Sequence, residues 1–127
     1  MTKTILIVDD DDSIREVGQL ALELGSGWSV LTASSGQNAL QLAKLERPDA
    51  ILLDVMMPGM DGPATLQKLR ADPSTSGIPV VFLTAKVRSS ERSTLSALGA
   101  AGVLAKPFDP IALPDQVAGV LGWAGVT

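Results

Sequence analysis

Five short apolar runs punctuate the chain, and amphipathic stretches separate them. Runs of this length that are bounded by turn residues predict strands buried on both faces. They cover residues 4–8, 28–33, 51–54, 78–83 and 103–105. The second run mixes polar with apolar residues, which predicts a position nearer an edge of the sheet.

Apolar residues at helical spacing predict five helices, which begin near residue 13, after Gly36, and near residues 63, 89 and 109. Ser13 has capping-box spacing with Glu16, and Asp12 is a rival cap for the first helix. The apolar stripe of that helix is predicted to be Ile14, Val17, Ala21 and Leu24. Strands that alternate with helices predict a three-layer, doubly wound α/β domain with a mainly parallel sheet.

The 127 residues are enough for one compact domain, expected over 1–127. The net charge is −4, with scattered basic residues and neither histidine nor cysteine. Direct nucleic-acid binding is therefore not expected. The sequence has no signal-peptide layout and no apolar run of about 18 residues, so no membrane span is expected and a cytoplasmic location fits.

Polar groups follow four of the predicted strands. Asp9 and Asp10 follow the first, Asp54 ends the third, Thr84 follows the fourth and Lys106 follows the fifth. The carboxyl ends of parallel strands share one edge of a sheet. If the strand order is 2-1-3-4-5, the first and third strands flank the switch point, where ligands bind in such folds. The three acids would then share one cleft.

Carboxylates in one cleft repel each other, which raises their pKa values or demands a cation. Mg²⁺ suits such a site because it takes oxygen ligands and often needs only one or two carboxylates. A carboxylate beside Mg²⁺ can act as a nucleophile toward phosphorus and form an aspartyl phosphate. Lys106 would supply positive charge to the phosphoryl oxygens, and Thr84 a hydroxyl hydrogen bond.

Four motifs carry a family resemblance: ILIVDDD, LLDVMMPGMDG, VVFLTA and KPF, in this order. Over essentially its full length the chain resembles the receiver domain of two-component response regulators, in the CheY-like superfamily. The resemblance implies a flavodoxin-like fold with strand order 2-1-3-4-5. It also implies a phosphoacceptor switch in a two-component phosphorelay, with slow self-dephosphorylation rather than enzymatic turnover.

The resemblance implies a role for each polar group. Asp54 is the implied phosphoryl acceptor, Thr84 the switch hydroxyl and Lys106 the cation that pairs with the phosphoryl group. A cis bond is expected between Lys106 and Pro107. The implied Mg²⁺ ligands are Asp10 directly, Asp9 in an assisting role, Asp54, and the backbone carbonyl of Met56.

The implied partners lie on both sides of the switch. The phosphoryl group is expected from a histidine of a sensor kinase or a histidine phosphotransfer protein, and a chain without histidine can accept it but not present it. Phosphorylation is expected to alter the surface formed by the fourth helix, fifth strand and fifth helix. That surface would then bind an unknown protein target or a second copy.

Three positions bear on the switch and its lifetime. Many receivers carry Tyr or Phe three residues before the lysine, where this chain has Val103. Either the groove beside the fifth strand stays open, or backbone movement alone carries the signal. Met56 and Lys86 lie two residues beyond Asp54 and Thr84, at positions expected to set the phosphoryl lifetime.

Other functions remain as alternatives. Val103 leaves room for a receiver-like interaction domain that works without phosphorylation. A Mg²⁺-dependent phosphatase with an Asp nucleophile would need a general acid or base near Met56, and none is present. A nucleotide- or flavin-binding module would place phosphate near the acids at positions 9–12, which would repel it.

Overall fold

A computed structural model describes residues 2–85 and 88–123 of the chain. Its five strands form one parallel sheet in the order β2-β1-β3-β4-β5. The strands are β1 (Thr4–Val8), β2 (Ser29–Ala33), β3 (Ala50–Asp54), β4 (Val80–Thr84) and β5 (Gly102–Ala105). This confirms the doubly wound flavodoxin-like fold, with β2 at an edge as its mixed polarity predicts.

Five helices cover the two faces of the sheet. They are α1 (Asp12–Ser26), α2 (Gly36–Glu46), α3 (Gly62–Ala71), α4 (Ser89–Ala97) and α5 (Leu113–Leu121). Among the described residues, no helix combines the length and apolar character needed to cross a membrane.

The sheet separates two apolar cores, because successive side chains of a strand point to opposite faces. Leu6 and Leu53 face one core, to which α2, α3 and α4 contribute. Ile7 and Leu52 face the other, which α1 and α5 cover. The central strand β3 is buried along its whole length, as its apolar run predicts.

Both predicted caps of α1 are wrong. Asp11 is the N-cap, and its carboxylate accepts hydrogen bonds from the backbone N–H groups of Ser13 and Ile14 at 2.8 and 3.2 Å. An acid one residue earlier than expected takes the position because the chain turns into the helix directly after Asp10.

The predicted stripe of α1 is also partly wrong. Gly18 and Leu22 are buried, whereas Val17 and Leu24 are 41% and 83% exposed. A Cβ added to Gly18 would lie 2.9 Å from Ile7 Cδ1, so the helix approaches the sheet along a side-chain-free position. The buried face is therefore rotated relative to the predicted one.

Two element starts, those of β4 and α5, lie two or more residues beyond the predicted positions. β4 begins at Val80 because Ile78 closes a turn on Thr75 and Pro79 has no N–H to donate. α5 begins at Leu113 rather than near residue 109. Before it, Asp109 accepts hydrogen bonds from the backbone of Ile111 and Leu113, which makes a turn ahead of the helix.

Two indole rings pack together just after the end of α5. The Trp28 and Trp123 rings meet edge to face, with centroids 5.2 Å apart and planes at 89°. Lys3 Nζ lies 4.9 Å from the centroid of the Trp123 ring. We call these three residues the tryptophan clasp. It joins the end of α5 to the amino ends of β1 and β2.

Candidate functional site

Three carboxylates gather at the carboxyl edge of the sheet. Oxygen atoms of Asp9, Asp10 and Asp54 all lie within 4.8 Å of one another. The register explains this, because β1 and β3 are neighbours and Val8 pairs with Leu53, so each strand delivers its next residue to one place. Asp9 and Asp54 are buried, and Asp10 is exposed. Such an oxygen cluster has the donor chemistry for a hard cation.

Lys106 reaches across β4 to bridge two of the acids. Its Nζ donates to Asp9 Oδ2 and to Asp54 Oδ1, both at 3.0 Å. Burial acts to lower the pKa of Lys106, but the hydrogen bonds and charges of the two carboxylates outweigh it and raise that pKa. The lysine therefore stays charged and offsets the repulsion between Asp9 and Asp54.

The pKa of Asp54 is raised above 3.8, chiefly by burial and further by the charge of Asp9. The hydrogen bond from Lys106 and the weaker one from the Met56 N–H oppose that rise. This carboxylate thus lies in a place that disfavours its charge and holds one cation against it. A second cation beside it would lower the pKa.

Thr84 closes β4 one strand away from Asp54. Its side chain is buried, and its backbone carbonyl accepts from the Lys106 N–H at 2.9 Å. The register pairs Thr84 with Ala105 and Asp54 with Leu83. The peptide bond between Lys106 and Pro107 is cis, as expected.

Met56 sits beside Asp54 through its backbone. Its N–H donates to Asp54 Oδ1 at 3.4 Å, while its side chain is 71% exposed. Lys86, the other position expected to set the phosphoryl lifetime, lies outside the described residues. Val103 is 7% exposed and belongs to the core that Leu95 of α4 also lines. It is a covered aliphatic position, paired in register with Phe82.

Two residues near the site were missed by sequence reasoning. Arg15 on α1 turns back and donates from Nη1 to the backbone carbonyl of Asp9 at 2.6 Å. Its Nη2 is paired with Asp12. The only sequence signal was a basic residue at the start of a helix that follows four acids, and such a residue usually lies in solvent.

Gly62 is the second. A Cβ on this residue would lie 2.5 Å from the Asp54 backbone carbonyl, so only glycine lets α3 begin against the end of β3. The Gly62 N–H donates to the Val55 carbonyl at 2.9 Å. In the sequence, Gly62 follows Asp61 as an ordinary turn pair, which gives no signal of a close approach.

The acid cluster bridged by Lys106 lies at the switch point of a flavodoxin-like sheet, which is the arrangement that the resemblance to receiver domains implies. The family model for the response regulator receiver domain matches residues 5–118. The chain therefore belongs to the response regulator receiver domain family, the receivers of two-component systems.

Individual relatives agree with this assignment. The chain is 41% identical over 92% of its length to the probable transcriptional regulator ycf27 of Guillardia theta, covering 44% of that protein. It is 40% identical over 95% of its length to the alkaline phosphatase synthesis transcriptional regulatory protein PhoP of Bacillus subtilis, covering 49%. The chain thus spans about half the length of these curated relatives.

A solved structure of similar extent is the chemotaxis response regulator CheY4 of Vibrio cholerae. Its TM-score is 0.88 at 33% identity, and the match covers 94% of this chain and 99% of that one. The likeness therefore extends over nearly the whole of both folds.

Proposed function

We propose that this chain is a phosphoacceptor switch in which Asp54 takes a phosphoryl group from a phosphohistidine of a sensor kinase or phosphotransfer protein. The observation that carries the proposal is the Lys106 ammonium held 3.0 Å from both Asp9 and Asp54. A buried carboxylate with a fixed cation and two further acids beside it is more typical of a functional site than of a structural ion pair.

The transfer forms one O–P bond and breaks one P–N bond. An Asp54 carboxylate oxygen attacks phosphorus, the P–N bond to the donor imidazole breaks, and its electron pair stays on that nitrogen. Asp9, Asp10, Asp54 and the backbone carbonyl of Met56 would hold Mg²⁺. When bound, that ion neutralises charge on the phosphoryl oxygens. Lys106 then pairs with the new phosphoryl group instead of the free carboxylate.

The switch follows from the added charge. Thr84 donates its hydroxyl to the phosphoryl group, which draws the end of β4 toward the site. Lys106 lies at the end of β5, so both strands respond together. The surface of α4, β5 and α5 changes and binds a protein target or a second copy. Val103 is a covered aliphatic side chain and has no aromatic ring that could reorient. We therefore infer that movement of the backbone carries the signal.

An apolar groove between α1 and the β5–α5 connection suits a helix of the donor protein. Leu20 and Leu24 of α1 are 56% and 83% exposed, and Ile111 is 91% exposed. Together with Val17 and Pro110 these side chains line one groove. Ile111 lies in the same β5–α5 connection as Lys106, so an apolar helix seated here would place its histidine at the site's edge.

That groove gives a test of the donor. Leu20→Glu should slow phosphotransfer from a phosphohistidine protein about tenfold or more, while phosphorylation by a small phosphodonor stays unchanged, because only the protein donor uses the groove. Leu45→Glu on α2 is the matched control, since Leu45 is 76% exposed on the other face. Equal slowing by both variants would contradict the groove's role.

The acceptor itself is tested by intact mass after incubation with a small phosphodonor, with and without Mg²⁺. A single phosphoryl adduct that requires Mg²⁺ and disappears in Asp54→Ala is expected. Asp49→Ala is the control, since Asp49 is exposed and lies away from this edge, bonded to the Thr4 N–H. No adduct from either a small donor or a kinase would favour the phosphorylation-independent interaction domain.

A further inference from the structure

Asp9 has every one of its polar atoms engaged. Its N–H donates to the Ala33 carbonyl at 3.1 Å, and Oδ1 accepts from the Asp11 N–H at 2.9 Å. Oδ2 accepts from Lys106, and the backbone carbonyl accepts from Arg15. One of these bonds goes to β2, one comes from the N-cap residue Asp11 and one comes from Lys106. The fourth comes from α1.

The Arg15 bond acts directly after the end of β1. β1 ends at Val8, so the Asp9 carbonyl is the first beyond the strand. That oxygen belongs to the same rigid plane as the Asp10 N–H, because the peptide bond does not rotate. Holding the oxygen therefore sets the direction in which Asp10 leaves the sheet.

The Arg15 side chain is well placed to hold that plane. It is 18% exposed, its fork reaches two acceptors at once, and Asp12 takes the second branch of the fork. A guanidinium suits two acceptors better than a lysine does, since its donors are fixed in one plane. Loss of the Nη1 donor would remove the hydrogen bond to the Asp9 carbonyl.

We infer that Arg15 is a positioning residue for the cation site, which fixes the Asp9–Asp10 peptide plane so that Asp10 meets the metal. The inference rests on the proposed function for the identity of the cation. Arg15 touches neither the metal nor the phosphoryl group. It acts through the backbone of one ligand onto the next.

Charge and geometry make opposite predictions for this residue. As a nearby positive charge, Arg15 weakens the binding of a divalent cation, so its removal would strengthen binding. As a positioning residue it strengthens binding, so its removal weakens it. The sign of the change therefore separates the two roles.

The experiment is a titration of the whole chain with MgCl₂, followed by amide NMR signals of residues 9–11 and 54–57. Arg15→Met should raise the Mg²⁺ dissociation constant about 10-fold or more, the size of effect expected when the support of a ligand is lost. The effect should persist at about 0.5 M salt, where interactions between separated charges are screened. The Asp10 amide should also shift before Mg²⁺ is added.

Asp12→Asn is the matched control, because it removes the ion pair of Arg15 but leaves the bond to the Asp9 carbonyl. At about 0.5 M salt its dissociation constant should stay within about twofold of the natural chain's. If Arg15→Met does not fold, Arg15→Lys decides: it keeps the charge but loses the two-pronged donor, and a two- to fivefold weakening is expected.

Three results would overturn the inference: unchanged or tighter binding in Arg15→Met, equal weakening in Asp12→Asn at high salt, or no Mg²⁺ binding by the natural chain. Failure of the proposed function looks different. It is the absence of a phosphoryl adduct on the natural chain, whatever the affinity of the variants for Mg²⁺.

Discussion

Asp54 carries a charge in a place that disfavours it. Burial and the neighbouring Asp9 carboxylate raise its pKa, and Lys106 compensates only in part. A group whose pKa is raised on folding costs stability once it is ionised. The same feature that readies Asp54 for a cation and a phosphoryl group should therefore weaken the fold of the free chain.

Replacing that carboxylate should stabilise the protein. Asp54→Asn should raise the melting temperature at pH 7 by roughly 2–5 °C, the shift that about 1 kcal/mol produces in a domain of this size. The gain should shrink as the pH falls through the raised pKa of Asp54 and should be lost below 3.8, where natural Asp54 is neutral in both the folded and unfolded states. Calorimetry at several pH values measures it, with exposed Asp115→Asn as the control. A gain that does not depend on pH would speak against this account.

Met56 borders the acceptor with an exposed thioether and a backbone N–H. Met56→Asn should shorten the lifetime of the aspartyl phosphate several-fold, because a carboxamide can hydrogen-bond and orient an attacking water where a thioether cannot. The measurement is the decay of the phosphoryl adduct by mass after the phosphodonor is removed. Met60→Asn, in the same loop, is the control. An unchanged decay rate in Met56→Asn would leave this position without a role in the lifetime.

At the scale of elements, α1 shows how far a pattern of residue types can go. Ser13 and Glu16 have the spacing of a capping box, yet Asp11 makes the hydrogen bonds. The register of a cap depends on where the preceding loop releases the chain, and three adjacent acids offer no sequence signal for that choice.

Asp11→Ala should destabilise the protein by about 1 kcal/mol, the usual cost of losing an N-cap side chain. Ser13→Ala, the control, should stay within about 0.5 kcal/mol because its side chain is exposed and its position lies inside the helix. Urea unfolding of both variants measures the difference. A larger loss of stability in Ser13→Ala than in Asp11→Ala would instead support the predicted capping box.

The start of α3 depends on one close contact. Gly62→Ala would place a methyl group 2.5 Å from the Asp54 carbonyl. We expect a loss of about 1–3 kcal/mol in unfolding free energy, the cost of overpacking, together with slower phosphorylation because the end of β3 must shift. Gly77→Ala, with nothing within 4 Å of the added methyl, is the control. Normal stability in Gly62→Ala would show that the loop yields freely.

The sequence was most informative about the sheet. Bounded apolar runs identified all five strands, and the polar residue that follows a strand is easy to see, so Asp9, Asp54 and Lys106 could be found without coordinates. The buried face of α1 could not be identified from the sequence. Gly18 lies against Ile7, and a glycine adds nothing to a hydrophobic pattern even where it is the point of closest approach.

The contacts around the site were harder to predict for a related reason. The bond from Arg15 to Asp9 and the fit of Gly62 to Asp54 both depend on the path of a loop. Neither an arginine beside acids nor a glycine in a turn is unusual by residue type. Their meaning comes from where the backbone carries them, which periodicity does not encode.

At the scale of the whole molecule, the parallel sheet separates the carboxyl ends of its strands from their amino ends. The acids and Lys106 lie at the carboxyl ends of the strands, and the tryptophan clasp lies at the amino ends. Strands of five residues rise about 16 Å in total, which sets the order of magnitude of the separation. Lys3, Trp28 and Trp123 therefore sit far from any phosphoryl group on Asp54.

This arrangement gives the protein a built-in optical reporter. The chain contains only two tryptophans, and both belong to the clasp. Their emission should change little when Asp54 is phosphorylated, because the clasp lies at the opposite ends of the strands, and should change strongly when α5 detaches from the sheet. A stopped-flow trace can then distinguish activation from loss of the fold in a single sample, without any dye or engineered label.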